Sequence, residues 1–164
     1  MPGLDALQVL EVAVRPALRE MGPMYSTVAA EQLVMGTAAV ESGLRYLKQH
    51  GHGPAIGLWQ MEPDTFHDLV DRAGLHTAHA LSRLSLCGQL DPLECAWNLR
   101  FAAALCRVKY LDDPHPLPEP GDVQGLAITW KRCYNSYIGA GTFDGFRRAW
   151  GDLIAPRYEE MWPQ

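Results

Sequence analysis

The sequence predicts a mostly α, single-domain protein with a small hairpin, or an extended segment, beside a cleft. Three observations predict it. Apolar residues recur at helical spacing in successive segments, short Gly- and Pro-rich breaks separate those segments, and no repeat or low-complexity tract interrupts them. A chain of 164 residues also suits one core, burying roughly 70% of its unfolded surface without a disulfide or metal staple.

The elements follow in order. Residues 4–21 carry Leu7, Leu10, Val14, Ala17 and Leu18 on one helical face, with Pro16 expected to kink or split the helix, and Gly22-Pro23 marks a break. Ser26 or Thr27 caps a second helix through Val28, Leu33, Val34 and Ala38 to Glu41. That helix is nearly apolar apart from Glu31 and Gln32, so most of its circumference is expected to be buried. Residues 51–57 read as a loop, and Leu58-Trp59-Gln60-Met61 as one strand of the hairpin or an extended cleft edge. Pro63-Asp64 opens a helix through Phe66, Leu69 and Val70, with Asp64 as its cap. Residues 74–89 show a weaker helical pattern at Leu81, Leu84 and Leu86. The clearest helix starts with Asp91 as cap, Pro92 at the first position and Glu94 completing a capping box. Its stripe runs from Ala96 and Trp97 through Phe101 and Leu105 to Leu111. A stiff loop with four prolines covers residues 114–121. Two helices close the chain, Val123 to about Tyr134 and Phe143 to about Met161, the second kinked at Pro156.

Composition narrows the function. A formal charge of −5, with Arg147-Arg148 and Lys131-Arg132 as the only adjacent basic pairs, argues against nucleic acid as a partner. The start, Met1-Pro2-Gly3-Leu4-Asp5, lacks a basic region and an unbroken apolar run, so synthesis in the cytoplasm without a signal peptide is expected. The apolar stretches are too short for a membrane span. Cys87, Cys95, Cys106 and Cys133 have no CxxC spacing and read as free buried thiols. His50 and His52 flank the cleft loop and His76 and His79 read as surface residues; neither pair has metal-site spacing, so no metal and no cofactor is expected.

One pairing carries chemistry. Glu41-Ser42-Gly43 closes the buried second helix, and Gly57-Leu58-Trp59-Gln60-Met61-Glu62-Pro63 follows one short loop later. A carboxylic acid at the exit of an apolar helix, opposite a glycine-rich segment with open backbone, favours its neutral form and can donate a proton near neutral pH. Protonating the bridging oxygen of a sugar polymer needs such an acid.

The order Glu41-Ser42-Gly43, Gly53-Pro54-Ala55-Ile56-Gly57-Leu58-Trp59-Gln60-Met61-Glu62-Pro63-Asp64-Thr65, then Tyr134-Asn135, resembles the soluble lytic transglycosylases and goose-type lysozymes, and the phage-encoded proteins that carry this kind of domain. The resemblance is strong over residues 29–65 and weak over residues 127–141. It implies a lysozyme-like single domain that cleaves the β-1,4 bond between N-acetylmuramic acid and N-acetylglucosamine in peptidoglycan glycan strands. Glu41 would be the single catalytic acid/base, closing a 1,6-anhydro ring without water. Ser42 would orient substrate or the carboxyl group, Gly57 and Gln60 would meet sugar groups, Trp59 would stack on a sugar face, and Tyr134 and Asn135 would support Glu41 and the substrate. The chain departs from the pattern at His50-Gly51-His52-Gly53-Pro54, at Cys133 and Ser136 around the Tyr-Asn pair, and at Tyr137-Ile138-Gly139-Ala140-Gly141.

A hydrolase would want a second carboxylate, ~5 Å away if retaining and ~6.5–9.5 Å if inverting. Glu62, Asp64 and Asp68 are the candidates, Glu62 first, with a capping carboxylate before Pro63 as its plainer reading. The single-Glu transglycosylase is therefore preferred. Structural readings stand beside each role: an ion pair of Glu41 with Arg45 or Lys48, a helix-end hydrogen bond for Ser42, and core positions for Trp59, Met61 and Tyr134. The expected context is a phage virion, with other virion proteins as partners and the bacterial wall as the place of action. The rival class is a non-catalytic virion or tail assembly protein that keeps the lysozyme-like core.

Overall fold

Helix α2 (Val28–Ser42) is the axis around which the rest of the chain packs. The computed structural model describes residues 3–135 and 140–163. Thr27 Oγ1 accepts the Ala30 N–H at 3.2 Å to start α2, and Gly43, at φ +60°, stops it in the left-handed conformation that glycine adopts without strain. Leu33, Val34, Met35 and Ala38 are wholly buried, and the two polar residues the sequence set apart are buried beside them. Glu31 takes a salt bridge from Arg15 at 3.0 Å and the Trp162 indole N–H at 2.8 Å. Gln32 accepts from Gly121 N at 2.8 Å and donates to Tyr158 at 3.1 Å. Each polar end is paired, which is what permits burial.

Helix α1 joins Ala6–Val9 to Arg15–Met21 through a π turn at Leu10–Val14. Pro16 therefore does not split it. The proline leaves the Val12 carbonyl without its helical donor, and Arg100 Nε fills that place at 2.8 Å. Helices α3 (Pro63–Arg72) and α4 (Leu75–Leu84) follow; Glu62, not Asp64, sits at the α3 cap position. After a 3₁₀ turn, Pro92–Ala96, helix α5 covers Leu99–Lys109. Helix α6 (Val123–Trp130) runs into a π turn at Lys131–Asn135. Helix α7 (Phe143–Leu153) is separated from the short α8 (Tyr158–Met161) by a 3₁₀ turn containing Pro156. Around α2 lie α1, α5, α6 and α7, while α3 and α4 pack on α5. The protein is a mostly α single domain, and no described helix is long and apolar enough to cross a membrane.

Two expectations are corrected. The helix expected from Asp91 onward is broken: Asp91 caps a 3₁₀ turn through Leu93 N, and Asn98 caps α5 afresh through Phe101 N. Glu94 makes no capping box. It is 1% exposed and accepts hydrogen bonds from Ser85 Oγ, Leu86 N and Asn98 Nδ2, each at 2.7 Å. Burial opposes its ionisation, but these donors outweigh burial and hold the carboxyl below its usual range. Trp97, assigned to the stripe, is consequently exposed. The second correction is the hairpin. Residues 57–60 are its turn, not a strand, closed by paired hydrogen bonds between Ile56 and Met61 at 2.9 Å, and a single further bridge joins Ile56 to Lys48.

Helices α2 and α7 approach closely at Gly36. A Cβ at Gly36 would lie 2.4 Å from Phe146 Cζ, and Phe146 is fully buried. Gly→Ala in an exposed helix stabilises by about 1 kcal/mol. Here overpacking reverses the sign: Gly36→Ala is expected to cost about 1–3 kcal/mol, read as a lowered denaturant midpoint.

Candidate functional site

Glu41 occupies the last turn of α2, where buried apolar packing ends and the surface begins. Two hollows share it. One, of about 490 Å³, lies between the end of α2 and α7 and is lined by Arg45, Arg148 and Asp152 among others. The other, of about 340 Å³, lies between the loop after α2 and the 57–60 turn, with Gln49, His50, Gln60 and Glu62 on its walls. Glu41 and Tyr46 line both. The acid therefore stands on a wall common to two neighbouring hollows.

Among the described residues, one side chain holds the carboxyl group. Trp130 Nε1, at the end of α6, donates to Glu41 Oε1 at 2.8 Å. Burial raises the Glu41 pKa above its ordinary 4.5, against the smaller opposing effects of the Trp130 hydrogen bond and the Lys109 charge. No ion pair of Glu41 with Arg45 or Lys48 occurs among the described residues, so the carboxyl is not spent on closing its own helix. Because an indole nitrogen can only donate, Oε1 accepts in both protonation states. The acidic proton is thereby left to Oε2.

The other sequence candidates take different places. Ser42 is buried and its hydroxyl donates back to the Ala38 carbonyl at 3.1 Å, so it does not orient the carboxyl. Trp59 is 1% exposed, with its indole N–H on the Val34 carbonyl at 2.9 Å; it belongs to the core and cannot stack on a sugar. Gly57 is buried at φ +79°, its N–H bonded to Leu47 and its carbonyl taken by Gln60, so its backbone is not open to a ligand. Gln60 Nε2 is the donor to that carbonyl at 2.8 Å, while its residue lines the smaller hollow. Glu62 is exposed on the same wall. Tyr134 donates to the Trp59 carbonyl at 2.6 Å and stacks on Tyr110, so its hydroxyl fixes the turn and does not donate to the acid. Asn135 Oδ1 accepts from Lys131 at 2.8 Å, and Lys131 also reaches the Gly141 carbonyl. Residues 136–139, which carry Ser136, Tyr137, Ile138 and Gly139, lie outside the described residues.

Trp130 is the residue that sequence reasoning missed. Its spacing of four from Tyr134 put it on the same helical face, one turn earlier, but helical spacing alone does not show where an indole N–H points.

A third hollow, of about 440 Å³, is lined by Arg72, Lys109 and Arg132 together with Asp112 and Asp113. Its arginines are taken up by Asp68, Asp112 and Asp113. Lys109 lies on the Tyr134 ring, 4.0 Å from its centre, and donates to the Tyr134 carbonyl. His115 Nδ1 pairs with Asp113 Oδ1 at 2.6 Å on this wall, and the Cys133 thiol donates to Asp113 Oδ2 at 3.2 Å. Burial pushes Cys133 up to about 11 and Cys95 up to about 12. Among the described residues no group of three or more His, Cys, Asp and Glu side chains is placed to hold a metal.

Comparison with known protein families, characterised proteins and solved structures finds no match for this chain.

Proposed function

We propose that the protein is a peptidoglycan-cleaving glycosidase of the lytic transglycosylase kind, with Glu41 as its single acid/base. The observation that carries this reading is an acid biased toward its neutral form on the wall shared by two hollows. The residue order around Glu41 and the 57–60 turn, which resembles the lytic transglycosylases, supplies the substrate class.

In this reading a glycan strand lies along both hollows with its scissile bond at Glu41. Oε2 gives its proton to the glycosidic oxygen, the bond from that oxygen to C1 of the muramic residue breaks, and the N-acetylglucosamine side leaves as an alcohol. The C6 hydroxyl of the same muramic residue then bonds to C1, and its proton returns to Glu41. No water is consumed. Arg45 and Arg148 line the larger hollow beside Asp152 and could meet anionic groups of a strand there. Delivery within a phage particle fits an acidic protein, which does not depend on attraction to the wall from solution.

Purified protein added to permeabilised bacteria is expected to reduce turbidity, with anhydro-ended fragments by mass. Products bearing reducing ends would instead favour hydrolysis, for which Glu62, on the same hollow as Glu41, would be the candidate second carboxylate. No clearing at any pH or salt favours an assembly role.

The alkaline limb of the pH profile tests the Trp130 contact. The indole hydrogen bond favours the ionised carboxylate and so lowers a pKa that burial has raised. Trp130→Phe removes the donor while keeping a ring beside Phe146. Glu41 then holds its proton to higher pH, and the alkaline limb of kcat/KM is expected to move up; a limb that stays or moves down contradicts the assignment.

A further inference from the structure

We propose that Tyr46 is the sugar-stacking platform of this site, seating the pyranose ring beside Glu41. The proposal rests on the glycosidase reading and replaces Trp59, the aromatic residue that the sequence offered for that role.

Three independent features single out Tyr46. The first is position: it and Glu41 are the two residues that line both hollows, so a ring resting on Tyr46 lies at the acid. The second is exposure. Tyr46 is 46% exposed, in contrast to the buried Trp59, Tyr110, Trp130 and Tyr134, and its hydroxyl makes no hydrogen bond to the described residues. The third is the backbone that presents it. Gly43 and then Leu44 both take positive φ, +60° and +54°, and a left-handed leucine is a strained choice. The turn persists because Leu44 is 1% exposed and its carbonyl accepts the Leu4 N–H at 2.9 Å. The chain leaves this anchored bend with Tyr46 turned out beside Glu41. The His50 ring meets that of Tyr46 at 5.8 Å and 72°, bracing it from the loop side.

The chemistry suits the ligand. A pyranose presents an apolar C–H face and a polar rim, and a phenol ring offers a complementary apolar face with a polar tip. Tyrosine also loses little conformational freedom on binding, which favours it as a rigid contact.

The test uses the full chain carrying Glu41→Gln, so that glycan is bound and not cut, with chitotetraose as a neutral probe in calorimetry. Adding Tyr46→Phe is expected to hold the affinity within about twofold, and adding Tyr46→Leu to weaken it about tenfold, the scale of one aromatic contact. In the Glu41 protein, Tyr46→Leu is expected to raise KM with kcat largely kept. Thermal melting checks that each variant is folded. Equal affinity with tyrosine and leucine overturns the platform and leaves the glycosidase reading standing. If the Glu41→Gln protein with Tyr46 intact binds no glycan, both fall together.

Discussion

Glu41→Gln is expected to lower glycan cleavage by on the order of 10²–10⁴-fold while leaving the fold intact. The substitution is nearly isosteric, and the amide oxygen can still accept the Trp130 N–H that now holds Oε1. What is lost is the transferable proton. The same change is expected to raise the melting temperature at neutral pH. Burial lifts the Glu41 pKa above 4.5, so the folded state disfavours the carboxylate more than the unfolded chain does. Its contribution is complete below pH 4.5 and is lost as pH rises through the folded-state value. Glutamine has no such loss. The gain over the native protein should therefore appear above that range and vanish below pH 4.5. A variant less active yet more stable is the signature of a group kept for chemistry at the expense of the fold. Unchanged cleavage by Glu41→Gln would remove Glu41 from the mechanism.

Gly57→Ala is expected to cost about 2–4 kcal/mol, combining a left-handed penalty with overpacking. At φ +79° an alanine is strained before any contact is considered. Its Cβ would also lie 2.2 Å from the Cys95 carbonyl oxygen, a backbone atom of the 3₁₀ turn at Pro92–Ala96. Neither side yields easily: Cys95 is 1% exposed, and the turn is fastened by Tyr134 on the Trp59 carbonyl. Chemical denaturation should show the loss directly. Because residues 57–60 lead into the wall carrying Gln60 and Glu62, cleavage should fall further than the population of folded protein accounts for. A neutral Gly57→Ala would mean that the turn is free to move. The glycine is needed for this crossing of chains, not for contact with sugar.

Much of the fold was legible in the residues because local signals and packing agreed. Thr27 and Gly43 bound α2 as their chemistry predicts, and the apolar sequence between them is buried as expected. Where tertiary contacts override local preference, the sequence misleads. Asp91, Pro92 and Glu94 carry the pattern of a helix start, yet Glu94 is drawn inward by three donors from elsewhere and the chain breaks at Trp97. In the site, the acid itself was legible, since a glutamate ending an apolar helix must lie near the core boundary. The roles around it were not. Period-two alternation could not apply to residues 57–60, which form a turn with Gln60 at φ +47°, so it could not say that Trp59 faces inward. Trp130 and Tyr46 are remote from each other in sequence and meet Glu41 only through packing and loop geometry.

Carbon NMR of the protein labelled at its glutamate carboxyls, with the Glu41 resonance assigned by its loss in Glu41→Gln, measures the proton affinity of the acid itself. The account predicts a midpoint above 4.5, the ordinary glutamate value, moving higher still in Trp130→Phe. A midpoint at or below 4.5 would contradict it, because a carboxyl that gives up its proton as readily as one in water has none ready for a glycosidic oxygen.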